Sequence, residues 1–326
     1  MSAARTIEVA SDEAGSRLDR WFKRHFPYLS HGKLEKLLRT GQVRLDGKRA
    51  KSGARVEAGQ QIRVPPFIDD QSLAPPARSA PPIPQEKLDE LKSLVLHMDD
   101  DILAINKPAG LAVQGGTKTR HHLDAMLDGL RFGSDHRPRL VHRLDRDTSG
   151  VLLLARNPVA AAALAKGFRT KETRKLYWAI TVGVPEPEEG EIDAPLGKVA
   201  GQQGERVIAN AEGGKSALTR YRVLDHIGNK AALIALSPLT GRTHQLRVHM
   251  AHCGTPIQGD GKYGRRSAFL DAPGLENRLH LHARAIRFPN SKGRIIEIDA
   301  LPPAHFDVAF RILGLELGGN LPLEFL

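Results

Sequence analysis

The run His142-Arg143-Leu144-Asp145-Arg146-Asp147-Thr148-Ser149-Gly150 crowds titratable groups together just before the apolar stretch 151–155. A carboxylate set among His142, Arg143 and Arg146 is held ionised at neutral pH, and a turn at a strand end can present it to a cleft. Such a group can attack a carbon centre or remove a proton. Asp145 is therefore the candidate catalytic residue. The same Asp, Thr, Ser and Gly also make an ordinary turn, which would be sufficient reason for an isolated aspartate.

Two further segments could serve that carboxylate. In Thr240-Gly241-Arg242-Thr243-His244-Gln245-Leu246-Arg247-Val248-His249-Met250, Thr243 can cap a helix running to Gly254. His244 and Arg247 then share a polar face, and Leu246 and Met250 a buried one. In the strand 175–182, Leu176, Trp178, Ile180 and Val182 lie on one face, while Tyr177 points away from that stripe with Ala179 and Thr181. His249, His252, Cys253, His280 and His282 raise the question of a metal. Their spacing matches neither a Cys-x-x-Cys pair nor a His-Glu-x-x-His helix, and no metal is assigned.

The elements that must hold these residues are legible in part. Strands flank a turn at Asp99-Asp100-Asp101, followed by the Asn106-Lys107-Pro108-Ala109-Gly110 turn and the Gly115-Gly116 pair. Asn157-Pro158 starts an apolar helix through Leu164 to Phe168, and the apolar strand 233–236 precedes the third segment. The alternating Leu and His of 278–283 suggest packing. With hairpins dominant, the expectation is an α+β catalytic domain on a mixed, largely antiparallel sheet, spanning 93–326.

In front of it, Leu18, Trp21, Phe22 and Phe26 recur at helical spacing, and Ser30 caps a second helix that turns Leu34, Leu37 and Leu38 inward. Lys33, Lys36 and Arg39 align on its other face. Residues 1–64 carry 14 lysines and arginines against 7 acidic residues, whereas the other 262 carry 34 against 30, within a net charge of +11. A concentrated basic segment is the footprint of a polyanion partner. A Pro-rich linker over 65–92 separates the two units. No run of 18 apolar residues suggests a membrane span, there is no secretory signal pattern, and the single cysteine, Cys253, allows no intrachain disulfide. A monomeric, cytoplasmic protein is expected.

Three strings carry a resemblance to one enzyme family. The nine residues 142–150, the segment 240–250 and the Lys-x-Tyr at 175–177 resemble the motifs of the ribosomal large-subunit pseudouridine synthases of the A, C and D types. The Asn-Lys-Pro and Gly-Gly elements are closest to the C type. The resemblance implies that Asp145 is the catalytic aspartate, that Arg247 pairs with it, that Tyr177 stacks on the target base with Lys175 beside it, and that Arg143 enters the RNA where the base was. Lys175, Arg242 and His244 would contact RNA. The run 29–48 resembles the small RNA-binding module first named from ribosomal protein S-four, which implies RNA contacts for Lys33, Lys36, Arg39, Arg44 and Lys48.

The implied reaction cuts the bond from ring nitrogen-1 of a uridine in large-subunit ribosomal RNA and rejoins the ribose to ring carbon-5. It needs no cofactor, consistent with the lack of a nucleotide-binding motif. Attack on the sugar, attack on the ring and removal of a ribose proton are all open to Asp145. A non-catalytic ribosome-assembly factor, a synthase acting on transfer RNA and a metal-dependent hydrolase are the competing functions.

Overall fold

The computed structural model describes residues 4–27, 29–66, 84–115, 122–201 and 204–316. Its contacts divide the chain into two units, Met1–Pro82 and Ile83–Leu326.

The first unit opens with strand β1 (Arg5–Glu8) and continues through helices α1 (Leu18–His25) and α2 (His31–Arg39) to strands β2 (Arg44–Leu45) and β3 (Gln61–Val64). The strands form an antiparallel sheet in the order β1-β3-β2. The apolar residues expected on the two helices, Leu18, Trp21, Phe22, Leu34, Leu37 and Leu38, are buried together with Val43, Val56, Ile62 and Val64. Each such side chain contributes roughly 1.5–3 kcal/mol on burial. Ser30 accepts the Lys33 N–H and caps α2. Glu13 is buried beneath α1, taking the Trp21 indole N–H at 2.8 Å and His25 Nε2 at 2.7 Å. Burial pushes its pKa up, but the bonds from His25 and Trp21 outweigh that and hold it below the usual range.

Most of the Pro-rich linker, 67–83, and the C-terminal 317–326 lie outside the described residues, as does Gly116. The last part of the segment read as linker is helix α3 (Gln85–Ser93), whose Leu91 joins the core of the second unit. Its single buried apolar residue among eight polar or half-buried ones explains why the sequence looked like tether.

The second unit is built on a ten-stranded sheet in the order β4-β5-β7-β14-β8-β13-β12-β9, with β15 beside β14 and β6 beside β7. The strands are β4 (Val95–Met98), β5 (Ile102–Lys107), β6 (Arg139–Leu140), β7 (Ser149–Ala155), β8 (Arg174–Val182), β9 (Glu189–Asp193), β12 (Leu218–Ile227), β13 (Ala231–Pro238), β14 (Leu281–Pro289) and β15 (Ile295–Asp299). A separate hairpin pairs β10 (Leu196–Gly201) with β11 (Gly204–Ala209). Every pairing is antiparallel except β7 with β14, so the sheet is mixed and largely antiparallel, as expected.

Period-two alternation sorts the side chains onto two faces. On one, Leu103, Ile105, Leu152 and Leu154 pack with Leu91 and with Leu123 and Met126 of α4 (Leu123–Met126). On the other, Ile102, Ala104, Val151, Leu153 and Ala155 pack with Ala160 and Leu164 of α5 (Pro158–Thr170). Asn157 caps α5 by accepting the Ala160 N–H at 2.8 Å, with Pro158 at its first position. Two helices complete the unit. α6 (Gln245–His252) packs Leu246 and Met250 against β13, and α7 (Ala304–Leu313) packs Phe306 and Ala309 under β8. A strand covered on both faces is apolar wherever its side chains find no hydrogen-bond partner, and every residue of β7 is buried.

Candidate active site

Asp145 sits on the turn that feeds β7, and three hydrogen bonds to main-chain carbonyls of that turn fix it. The Thr148 N–H reaches the Asp145 carbonyl at 3.2 Å, and the Gly110 N–H reaches the Arg146 carbonyl at 2.8 Å. Lys107, at the end of β5, is fully buried and donates to the carbonyls of Pro108, Leu111 and Arg146 at 2.8, 2.9 and 3.0 Å. Three ammonium protons meet three acceptors, tying the 107–111 turn to the Asp145 turn. Burial pulls the Lys107 pKa down to about 7, opposed by the charges of Asp147 and Asp145. Below the turn, Gly150 at φ 110° lets β7 approach β14, where a Cβ would strike the Ala283 backbone.

The neighbours of Asp145 differ from the expected trio of cations. His142 accepts the Leu153 N–H at 2.8 Å and stacks on Phe168 at 4.7 Å. Burial first, and the Lys175 charge second, push its pKa to about 3, so it is a neutral wall. Arg146 is exposed and pairs with Asp147 at 3.0 Å. Of the three, only Arg143 stands exposed beside Asp145 without a described side-chain acceptor.

Two adjoining hollows, of about 510 and 730 Å³, meet at Asp145. Its side chain is 19% exposed, shielded but reachable. The first hollow is lined by His142, Lys175, Tyr177 and Phe168, with Arg169, Arg174 and Arg242 among the residues around it. The second is lined by Gly110, Val113, Asp147, Lys262 and Arg278. Arg143, His244 and Arg247 border both.

Tyr177 lies on the face expected from the strand alternation, half-buried between two apolar clusters, and burial followed by the Asp145 charge raises its phenol pKa. It stays neutral, an uncharged ring facing the hollow. Lys175 is half-buried with its pKa drawn down to about 8 by burial. Arg242 is exposed and donates to the Ser216 carbonyl at 2.9 Å.

The expected pairing of Arg247 with Asp145 is not what the side chains make. Arg247 donates from Nε and Nη2 to Asp260 at 2.8 and 2.7 Å, and both residues are buried. The Asp145 charge still reaches Arg247: burial lowers its pKa, but Asp260 and then Asp145 raise it further. Asp260 was missed because it lies in a loop, where no periodicity marks it. The one signal was an aspartate between two glycines, followed by Lys262-Tyr263-Gly264. Gly259 (φ 80°) is needed there, since a Cβ would meet the Arg278 carbonyl.

The helix itself also departs from expectation. Thr243 is exposed, and His244, at φ 55°, is the residue preceding α6. The Gln245 carboxamide oxygen takes Thr240 Oγ1 at 2.7 Å and the Arg242 N–H at 3.0 Å, closing the loop ahead of the helix. No polar face survives: residues 245–250 are all buried, because Gln245 Nε2 bonds Thr219 and the Leu218 carbonyl, and His249 bonds Thr219 and the Ala194 carbonyl.

Two other histidines have hydrogen-bond partners as well. His282 bonds Ser149 Oγ at 2.9 Å and the Ala300 carbonyl at 3.1 Å, and His280 Nδ1 bonds the Arg278 carbonyl. Among the described residues no three His, Cys, Asp or Glu side chains converge as metal ligands would. In the first unit, Lys36, Arg39 and Lys48 are exposed, Lys33 is half-buried, and Arg44 donates to the carbonyls of Gly41 and Gly47. No described helix is long and apolar enough to cross a membrane.

Residues 101–252 match the family model described as RNA pseudouridylate synthase. The chain is 39% identical over 257 residues, 77% of its own length and 83% of the relative's, to ribosomal large subunit pseudouridine synthase C of Rickettsia conorii. It is 36% identical over 311 residues, 91% and 93% of the two lengths, to the protein of the same name in Escherichia coli K12. Human RNA pseudouridylate synthase domain containing 4 superposes with a TM-score of 0.61 at 30% identity, covering 72% of this chain and 98% of that one.

Proposed function

Because the chain belongs to the RNA pseudouridylate synthase family and is thus an isomerase of uridine in RNA, we propose that it acts on large-subunit ribosomal RNA, in the cytoplasm, with Asp145 as its catalytic carboxylate. The observation that carries this is the half-buried Asp145 carboxylate at the meeting of two hollows, with the Tyr177 ring in the first and Arg247 bordering both.

In this function the target uridine leaves its stack and enters the first hollow. Unstacking costs a few kcal/mol, and an aromatic platform such as Tyr177 offsets about 1–3 kcal/mol of it. Arg143 is exposed at the mouth of both hollows and fills the gap in the RNA. Lys175, Arg169, Arg174 and Arg242 supply positive charge for phosphates around the first hollow. Asp145 acts on the sugar or the ring, the N1–C1′ bond breaks, the freed ring turns, and C5–C1′ forms. The C5 proton is released and N1 gains one, so atoms and charge balance without a cofactor. Arg247, locked by Asp260, keeps a fixed positive charge close to Asp145.

The first unit is proposed as the S-four-like docking module over 1–64, with Lys33, Lys36, Arg39, Arg44 and Lys48 on phosphates, and 93–326 as the catalytic domain. The relatives named as C-type synthases of the large subunit support the choice of ribosomal RNA. The test is pseudouridine mapping of large-subunit RNA from cells with and without the gene, rescued by wild type or Asp145→Asn. Loss of particular sites restored only by the wild type is the expected result. Unchanged ribosomal sites would remove this target.

A further inference from the structure

His244 carries a geometry that RNA contact does not require. Its Nδ1 lies 2.5 Å from the Tyr263 hydroxyl oxygen, and its Nε2 lies 3.8 Å from Asp145 Oδ2. The left-handed backbone at φ 55° swings the ring between those two groups, edge-on to Tyr263 at 71°. Tyr263 is 9% exposed, and its backbone N–H reaches Asp260 Oδ1, so the loop that anchors Arg247 also places the phenol. The charged groups acting on the imidazole are Asp145, Arg247, Lys262 and Asp260.

A neutral imidazole has one N–H and one lone pair, and its neighbours decide which nitrogen holds which. Burial lowers the His244 pKa, against the pull of Asp145, so the ring is neutral near pH 7. Burial raises the Tyr263 pKa, so the phenol keeps its proton. If that proton is donated to Nδ1, Nε2 carries the imidazole N–H and faces the carboxylate. The opposite tautomer would set a lone pair against a carboxylate oxygen.

We propose that Tyr263 and His244 form a positioning relay for Asp145: Tyr263 donates to His244 Nδ1, and His244 Nε2–H faces Oδ2, leaving Oδ1 as the oxygen that reacts. The inference rests on Asp145 being the catalytic carboxylate. At 3.8 Å the contact is longer than a hydrogen bond, and it orients the carboxylate through the Nε2–H dipole until bound RNA draws the groups together. His244 is thereby a positioning residue, and its position on the border of both hollows is where control over the carboxylate rotamer is needed.

The test is the histidine tautomer read by two-bond 15N–1H correlation on the full chain labelled at histidine, with the His244 signal identified by its loss in His244→Gln. The expected spectrum at pH 7.5 has a protonated Nε2 and a bare Nδ1. Tyr263→Phe should weaken that preference and slow single-turnover isomerisation roughly ten- to hundredfold, with RNA affinity unchanged. His244→Gln, whose amide N–H can still reach Asp145, should retain more activity than His244→Leu. An Nδ1-protonated or doubly protonated ring, or wild-type turnover in folded Tyr263→Phe, overturns the relay. Activity in Asp145→Asn would instead overturn the catalytic assignment, and the tautomer measurement does not depend on it.

Discussion

Two regions of the second unit bury titratable side chains, and they differ in whether a buried charge finds an ionic partner. Around Asp145 one buried group keeps its charge through an ionic partner, Arg247 locked to Asp260, while Lys107, its pKa near 7, is held by three carbonyls and His142 is neutral. Around Phe306 the buried groups are histidines, His280, His282 and His305, whose rings pack on one another and on Phe306 at 4.9–6.0 Å. Burial drives His282 to about 4 and His305 to about 3, leaving both neutral. A buried charge is retained where an opposite charge meets it, as Asp260 meets Arg247 beside the hollows, and suppressed where none does, as at His142, His282 and His305.

Substitutions and pH can break this contrast, beginning with the largest effect. Asp145→Asn should lower the isomerisation rate roughly a thousandfold or more without lowering the melting temperature. Single-turnover assay on substrate RNA and a thermal melt check both halves. Asp260→Ala leaves the Arg247 charge buried and unpaired, and should cost about 3–5 kcal/mol of stability along with activity. Denaturant unfolding measures it, and a near-neutral result would mean Arg247 finds another anion, Asp145 being nearest to hand.

Acid should act on the histidine region instead. The folded-state pKa values of His282 and His305 lie below the ordinary value near 6.5, so between about 6.5 and 4 the unfolded chain binds protons that the folded chain refuses. Their contribution is therefore complete above about pH 6.5 and is lost as pH falls, by about 2 kcal/mol per histidine at pH 5. Unfolding curves at pH 7.5 and 5 test this, and equal stability at both would refute it. The smallest effect is expected in the first unit, where Lys36→Ala with Arg39→Ala should weaken RNA binding severalfold and flatten its salt dependence, leaving the rate on saturating RNA unchanged.

Much of the scaffold around these regions was legible because it is periodic. Leu176 and Trp178 against Tyr177 gave the two faces of β8, and Leu34, Leu37 and Leu38 gave the inner side of α2. The Asp145 turn was legible as a dense local string. What escaped was contact across the chain. Lys107 reads as a solvated loop lysine until Arg146, 39 positions away, meets it, and Asp260 acquires its meaning only from Arg247. The polar residues of α6 looked like an exposed face because their buried partners, Thr219 and the Leu218 carbonyl on β12 and the Ala194 carbonyl just after β9, are distant in sequence.

The placement of β14 has a consequence for synthesis. This strand, 281–289, separates β4-β5-β7 from β8-β13-β12-β9, and among the described strands only β15 is made after it. A ribosome that has translated every motif residue from Arg143 to Arg247 has still not made the strand that brings Asp145's half of the sheet beside Tyr177's. Nascent chains shorter than about 290 residues should be inert however many motifs they contain, and their two half-sheets would expose unpaired edges until the join is made.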